Sequence, residues 1–203
     1  MKRLILVFLL LFPAAATGFP EEEILDSLQR EAREIKTISS RFVQKKDLSM
    51  FENTLRSKGR FYFRDPDCLR WEYTAPYEQG FALCKKKGVK WDEISGEQKI
   101  STTGNPMWEI LSEQLIAWSR LDMARLQKNY RIQVKKKDPL VLTLVPKAET
   151  MRNAISELVI RMSRQKGVIQ EITFFEPDGD RTRIEFNSTQ TNTSLPQGIF
   201  SGK

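Results

Sequence analysis

Few side chains in this chain have types and spacing that could do chemistry. There are two cysteines, Cys68 and Cys84, and no histidine at all. Without imidazole the chain lacks the usual general base near neutral pH, the Ser–His and Cys–His nucleophile pairs, and nitrogen ligands for a metal. Two thiols are too few for a thiolate zinc site. Carboxylates are plentiful, but no pair of them stands in a setting that marks acid–base catalysis. The reading is therefore non-enzymatic, with no catalytic residues, no metal and no cofactor.

The cysteines instead predict a structural bond. Cys68 to Tyr73 reads as a strand, Thr74 to Tyr77 with Pro76 as a turn, and Glu78 to Lys85 as the returning strand. A turn centred on Pro76 sets Leu69 opposite Leu83, Trp71 opposite Phe81, and Cys68 opposite Cys84. The first two pairs share an apolar face and the cysteines share the other one. Cross-strand neighbours stand about 4.5–5.5 Å apart at Cβ, close enough for a disulfide after small adjustment. The alternative is a pair of free thiols, or a register displaced by one residue. No C-x-x-C spacing is present, so the bond reads as structural.

An oxidising compartment is implied by the first residues. Lys2 and Arg3 precede the apolar stretch Leu4 to Phe12, and Pro13 to Gly18 offers small residues for cleavage. The stretch is short of the roughly 20 residues that span a bilayer. Residues 1–18 are expected to be a signal peptide cut near Gly18, and 19–203 a single exported domain. Without Lys2 and Arg3 the formal charge of +7 falls to about +5. Acidic residues are mixed among the basic ones, which favours an ordinary soluble surface, and nothing has the aromatic-plus-basic signature of a nucleic-acid module.

Two helices and many strands must position these residues. Glu21 to Lys36 has Ile24, Leu28, Ala32 and Ile35 on one face, with acidic residues at its start. Asn105 to Gln127 opens with a capping Asn and Pro106, and carries Trp108, Leu111, Leu115 and Trp118 as an apolar stripe. Ten or eleven short strands fill the rest, with Arg181 to Asn187 the last and a polar, aperiodic tail from Ser188. Pro146 to Asn153 reads as a polar connection. Short turn-like connections favour antiparallel neighbours, and a sheet of this size curls. The fold class is mainly β with helices (α+β), an open, incomplete antiparallel β-barrel with a helical lid.

Several segments, in order, resemble the outer-membrane lipoprotein carrier (LolA) family. They are Ile38-Ser-Ser-Arg-Phe42-Val-Gln44, Gly59-Arg-Phe-Tyr-Phe-Arg-Asp-Pro66 followed by Leu69-Arg-Trp-Glu-Tyr73 and Pro76, Leu142-Thr-Leu-Val-Pro-Lys147, and Leu195-Pro-Gln-Gly198. The resemblance implies a hydrophobic cavity that receives the acyl chains of lipoproteins. It also implies an inner-membrane ABC-type release complex and an outer-membrane acceptor as partners. The side chains expected to line the cavity or pack beneath its lid are Phe61, Phe63, Trp71, Tyr73, Phe81, Trp91, Trp108, Leu111, Leu115, Trp118, Ile132, Leu142, Ile160 and Phe174. Where the family places a lid-latching Arg directly before the motif's Pro, this chain has Asp65, with Arg64 one residue earlier as the stand-in. Other readings are a carrier or sensor of a different lipid, such as a glycolipid or acyl intermediate, and a non-carrier structural or signalling domain of the envelope. A monomer is expected, since a shuttle must keep its cavity mouth free.

Overall fold

The computed structural model describes residues 21–50, 52–164 and 167–202; the expected signal peptide lies outside them. Among the described residues no helix is long and apolar enough to cross a membrane. Helix α1 (Glu21–Arg33) precedes six strands, β1 (Thr37–Asp47), β2 (Leu55–Arg64), β3 (Cys68–Ala75), β4 (Gln79–Cys84), β5 (Lys87–Asp92) and β6 (Gly96–Ser101). Helices α2 (Pro106–Ser119) and α3 (Met123–Asn129) follow. The chain then runs through β7 (Tyr130–Lys137), β8 (Leu140–Pro146), α4 (Glu149–Arg152), β9 (Glu157–Met162), β10 (Ile169–Phe175) and β11 (Arg181–Thr191).

The strands form one antiparallel sheet in the order β6-β5-β4-β3-β2-β1-β11-β10-β9-β8-β7. The chain starts at the middle of the sheet, meanders to one edge, and resumes at the other edge to meander back. Strands β6 and β7 are the free edges, so the barrel is not closed. The segment joining them is α2–α3, which must bridge the gap between the edges. Connectivity alone thus makes this pair of helices the cover of the open side.

The single helix expected over 105–127 is two. Asn105 caps α2 by accepting from the Trp108 N–H at 3.3 Å, and Asp122 caps α3 by accepting from Arg125 N–H at 3.2 Å. Between them Leu121 takes a positive φ of 44° and is buried, so the bend drives a leucine into the core. Strand β11 runs to Thr191, past the end expected at Asn187. Ser188 at φ 55° and a register shift near Ser40 absorb an irregularity, after which pairing with β1 resumes at Gln190 and Thr191. One short helical turn, α4, forms inside the connection read as polar and irregular.

The core divides in two along the sheet. Leu25, Leu28 and Ala32 of α1, with Met123 and Leu126 of α3, pack on Leu142, Leu144, Leu158 and Ile160 of β8 and β9. Helix α2 instead sets Trp108 and Leu115 against Phe42, Phe61, Phe63, Leu69 and Trp71 of β1–β3. Trp118, Phe174 and Phe186 are only partly buried and touch both halves.

Candidate functional site: an apolar cavity beneath helix α2

Where the two halves meet, the concave sheet and α2 leave space between them. A cavity of about 660 Å³ is walled by Trp71, Tyr73 and Phe81 from β3 and β4, Ile172, Phe174 and Ile184 from β10 and β11, and Ile110, Leu111, Leu115 and Trp118 from α2. Gln44, Gln114, Tyr130, Met151 and Ile155 complete the wall. A smaller recess of about 50 Å³ lies deeper, between Ile38, Phe61, Val168, Ile169 and Phe186. Trp71, Leu115, Trp118 and Ile172 border both spaces.

The wall is closely packed on its sheet side. Phe42, 1% exposed, stacks on Trp71 with centroids 4.4 Å apart and meets Tyr73 edge-on at 5.4 Å. Phe61 lies 5.6 Å from Trp71, and Phe186 stands perpendicular to that indole at 6.2 Å. Gly59 permits this arrangement, because a Cβ there would collide with the Phe42 ring and the Glu72 carbonyl. Such offset and edge-on contacts are each worth about 0.5–1.5 kcal/mol beyond area burial. On the lid side Phe81 meets Trp108 at 5.1 Å, and Trp118 meets Phe174 at 5.6 Å.

Polar groups in the wall are turned inward on one another. Tyr73 Oη donates to Gln44 Oε1 at 2.9 Å and Tyr130 Oη donates to Gln114 Oε1 at 3.0 Å. Burial raises the Tyr73 phenol above its usual value and pushes the Tyr130 phenol up to about 12, so both stay neutral. Ser40 and Thr189 share a hydrogen bond at 2.7 Å. Among the described residues only the Trp118 Nε1–H and Arg183 Nε are buried without a partner, and Trp118 is the one in this wall. An uncharged surface with its hydroxyls already bonded offers little to a polar ligand and much to hydrocarbon.

Eight of the side chains expected in the cavity border one of the two spaces: Phe61, Trp71, Tyr73, Phe81, Leu111, Leu115, Trp118 and Phe174. Phe63 packs beneath the lid and Trp108, on the lid itself, packs down into the same core. Ile132, Leu142 and Ile160 belong to the other half, where α1 and α3 fill the concavity. Trp91 needs correcting. It pairs with Gly80 across β4–β5, one position out of phase with Phe81, and so lies on the convex face with Ala82 and Val89. There the guanidinium of Arg70 covers its ring at 4.3 Å.

The residues missed include Ile110, Tyr130, Met151, Ile155, Ile172 and Ile184 in the wall of the larger space, Ile38, Val168, Ile169 and Phe186 around the smaller one, and Phe42 behind Trp71. Phe42, Gln44 and Ser40 share the inward face of β1, and the two polar members hid the alternation. Ile172 and Ile184 do alternate inward, and their pairing with each other was the available signal.

The latch expectation also changes. Arg64 lies on the convex face, with Nη2 3.5 Å from Cys68 Sγ and its guanidinium 4.9 Å from the centre of the Phe200 ring. The contact to the lid is made by Asp65, which faces Arg120 at the end of α2 at 3.4 Å and Lys36 at 3.6 Å. A shift of one residue along the strand end reverses the side chain, as expected of a pleated backbone. Cys68 and Cys84 are joined by a disulfide across the β3–β4 hairpin, whose register pairs Leu69 with Leu83 and Trp71 with Phe81.

The chain is similar to curated proteins named outer-membrane lipoprotein carrier protein. One from Pseudomonas entomophila (strain L48) is 23% identical over 200 residues, covering 98% of this chain and 92% of the relative. Among solved structures, an uncharacterized conserved protein from Thermus thermophilus superposes with a TM-score of 0.54 at 9% identity, covering 88% of this chain and 91% of that one. MucB superposes with a TM-score of 0.52 at 13% identity, covering 90% and 62%. These structures share the fold. Residues 33–203, most of the chain, match the family described as outer membrane lipoprotein carrier protein LolA, and the chain belongs to that family.

Proposed function

We propose that this protein is a periplasmic carrier that takes the acyl chains of lipoproteins into the cavity beneath α2 and ferries them from the inner to the outer membrane. One observation carries the reading: a cavity of about 660 Å³ with almost wholly apolar walls, set between a closely packed aromatic sheet and a helix from the connection between the two free strand edges. Each CH₂ withdrawn from water is worth about 0.8 kcal/mol, so a cavity of this kind can hold an acyl chain without any specific polar contact. Release then requires only that α2 move, because the sheet is continuous without it. The relatives' carrier names support the same assignment.

In this reading residues 1–18 direct export and are removed near Gly18, and 19–203 form one carrier domain. Its partners are acylated lipoproteins, an inner-membrane ABC-type release complex and an outer-membrane acceptor. It acts as a monomer and performs no catalysis. The test is native mass spectrometry of the exported protein, followed by extraction of whatever is bound. Stoichiometric acylated lipoprotein is the expected result. A glycolipid or other acyl compound would move the assignment to a different cargo, and an empty protein that displaces no fluorescent acyl probe would overturn it.

A further inference from the structure

Six large apolar side chains stand exposed among the described residues, and their positions are not scattered. Met50, Tyr77 and Ile94, at 81%, 67% and 98% exposure, sit in the β1–β2, β3–β4 and β5–β6 turns. The antiparallel register places all three turns at one end of the barrel. The cavity is walled by residues from that same end, including Gln44, Tyr73 and Phe174. Leu55 opens β2 beside the first of these turns, and the remaining two exposed residues, Ile110 and Leu111, lie on α2 in the cavity wall. The exposed apolar surface and the cavity mouth therefore share one pole.

Folding gives no reason for these side chains, since turn tips are ordinarily Asn, Asp, Gly or Ser. The tips are nonetheless held in place. Asp92 Oδ1 accepts from the backbone N–H of Ile94 at 2.9 Å, and Glu93 Oε1 accepts from Glu78 N–H at 2.9 Å, tying the second and third turns together. Ser49 N–H donates to Asp180 Oδ1 at 2.7 Å, tying the residue before Met50 to the β10–β11 turn. Adjacent hairpins are two strands apart, about 10 Å. The result is a row of separated prongs rather than a flat patch, a form suited to a soft surface.

Charge restricts what that surface is. Exposed Glu52, Glu78 and Glu93 flank the three tips, and Glu176, Asp178 and Asp180 fill the β10–β11 turn at the same pole. Exposed Arg56, Lys58, Arg131, Lys147 and Arg152 stand at this pole as well, and Lys46 and Arg181 pair with Glu176 and Asp47, so the pole carries both signs and offers no net cationic face to an anionic bilayer. Exposed Lys85, Lys86 and Lys87, with Lys135, Lys136 and Lys137, lie in or beside turns at the opposite pole, the end that electrostatic attraction to anionic lipid would select.

We propose that the mouth-bearing pole docks on a zwitterionic lipid surface, with Met50, Tyr77 and Ile94 entering the headgroup layer and the cavity opening toward the bilayer. Tyrosine suits that layer, being apolar along its ring and polar at its tip. Three shallow side chains flanked by carboxylates give contact that is easily reversed. Its use in cargo exchange rests on the carrier reading; the docking itself does not.

The test is flotation of the mature chain with phosphatidylcholine–phosphatidylethanolamine vesicles, beside an Ile94→Trp variant read by fluorescence. Wild type should float with the vesicles. The emission of the introduced indole, taken as the difference from wild type, should shift to the blue and be quenched by brominated lipid. Replacing Met50, Tyr77 and Ile94 together by Ser should lower the bound fraction about five-fold or more while leaving acyl-probe binding unchanged. Equal binding by the triple variant would overturn the proposal. So would failure of the wild type to bind, which would leave the tips to a protein partner, or binding that needs phosphatidylglycerol and vanishes with salt, which would point to the lysine pole. Vesicle binding without acyl-probe binding would keep the docking and sink the carrier reading.

Discussion

Arg70 shows how much a single convex-face side chain can hold. It is 6% exposed, its guanidinium is bonded to Glu72 Oε2 at 2.6 and 2.8 Å, and it donates to the carbonyls of Ile199 and Gly202. It therefore ties the C-terminal segment to the outer sheet while covering Trp91. Glu72→Gln would leave a buried cation without its counter-charge, and loss of about 3 kcal/mol is expected in urea unfolding. A second residue-level prediction concerns Tyr130. Its phenol is raised from 10.0 to about 12 by burial, so the folded state favours the neutral form. That contribution is fully present below pH 10 and lost as pH rises toward 12. Tyr130→Phe should remove up to about 2 kcal/mol of the alkaline loss, seen as a shallower decline in stability between those values.

At the scale of elements, the ion pair from the β2–β3 turn to α2 ties lid to sheet. Asp65 and Arg120 are partly exposed, so the pair is worth at most about 1 kcal/mol. Asp65→Asn should leave the melting temperature within about 3 °C but speed dissociation of a bound acyl probe about three-fold. Arg120→Gln should do the same, and the double variant should add nothing to the dissociation rate, because both changes break the same lid contact and the Asp65–Lys36 pair does not involve the lid. The turns explain which elements were readable beforehand. The β3–β4 hairpin carries Pro76 at its bend and large apolar residues in phase on both arms, and its register was recoverable. The β4–β5 hairpin turns through Lys85 and Lys86, both at positive φ, where Asn or Gly would ordinarily announce the bend. Without that punctuation the phase of β5 was open, and Trp91 fell on the wrong face. The bend at Leu121 hid for a similar reason, since a leucine in a left-handed conformation carries no turn signature.

For the whole molecule, order of connection matters more than any one contact. A chain that begins in the middle of its sheet and leaves its edges to be joined by α2–α3 makes a cover that is covalently secured yet outside the strand ladder. The alternating strands made the curled sheet and its apolar inside legible. How the inside divides was not, because filling by α1 and α3 and space under α2 have the same apolar pattern. The difference lies in three-dimensional packing, where Leu142 and Ile160 meet helix side chains and Trp71 and Ile172 meet a void. An unfilled apolar space forgoes contacts that a folded core would otherwise make, so the ligand-free protein is less stable than its composition allows. Leu115 borders both spaces from the lid. Leu115→Phe should extend into the void, raising the stability of the ligand-free protein by about 0.5–1 kcal/mol. The same change should weaken acyl-probe binding about ten-fold or more and shrink the rise in melting temperature that the probe produces. Paired thermal melts with and without probe decide the matter. A variant that gains stability and still binds fully would place the ligand elsewhere, and one that loses both would show that Leu115 has no free space to enter.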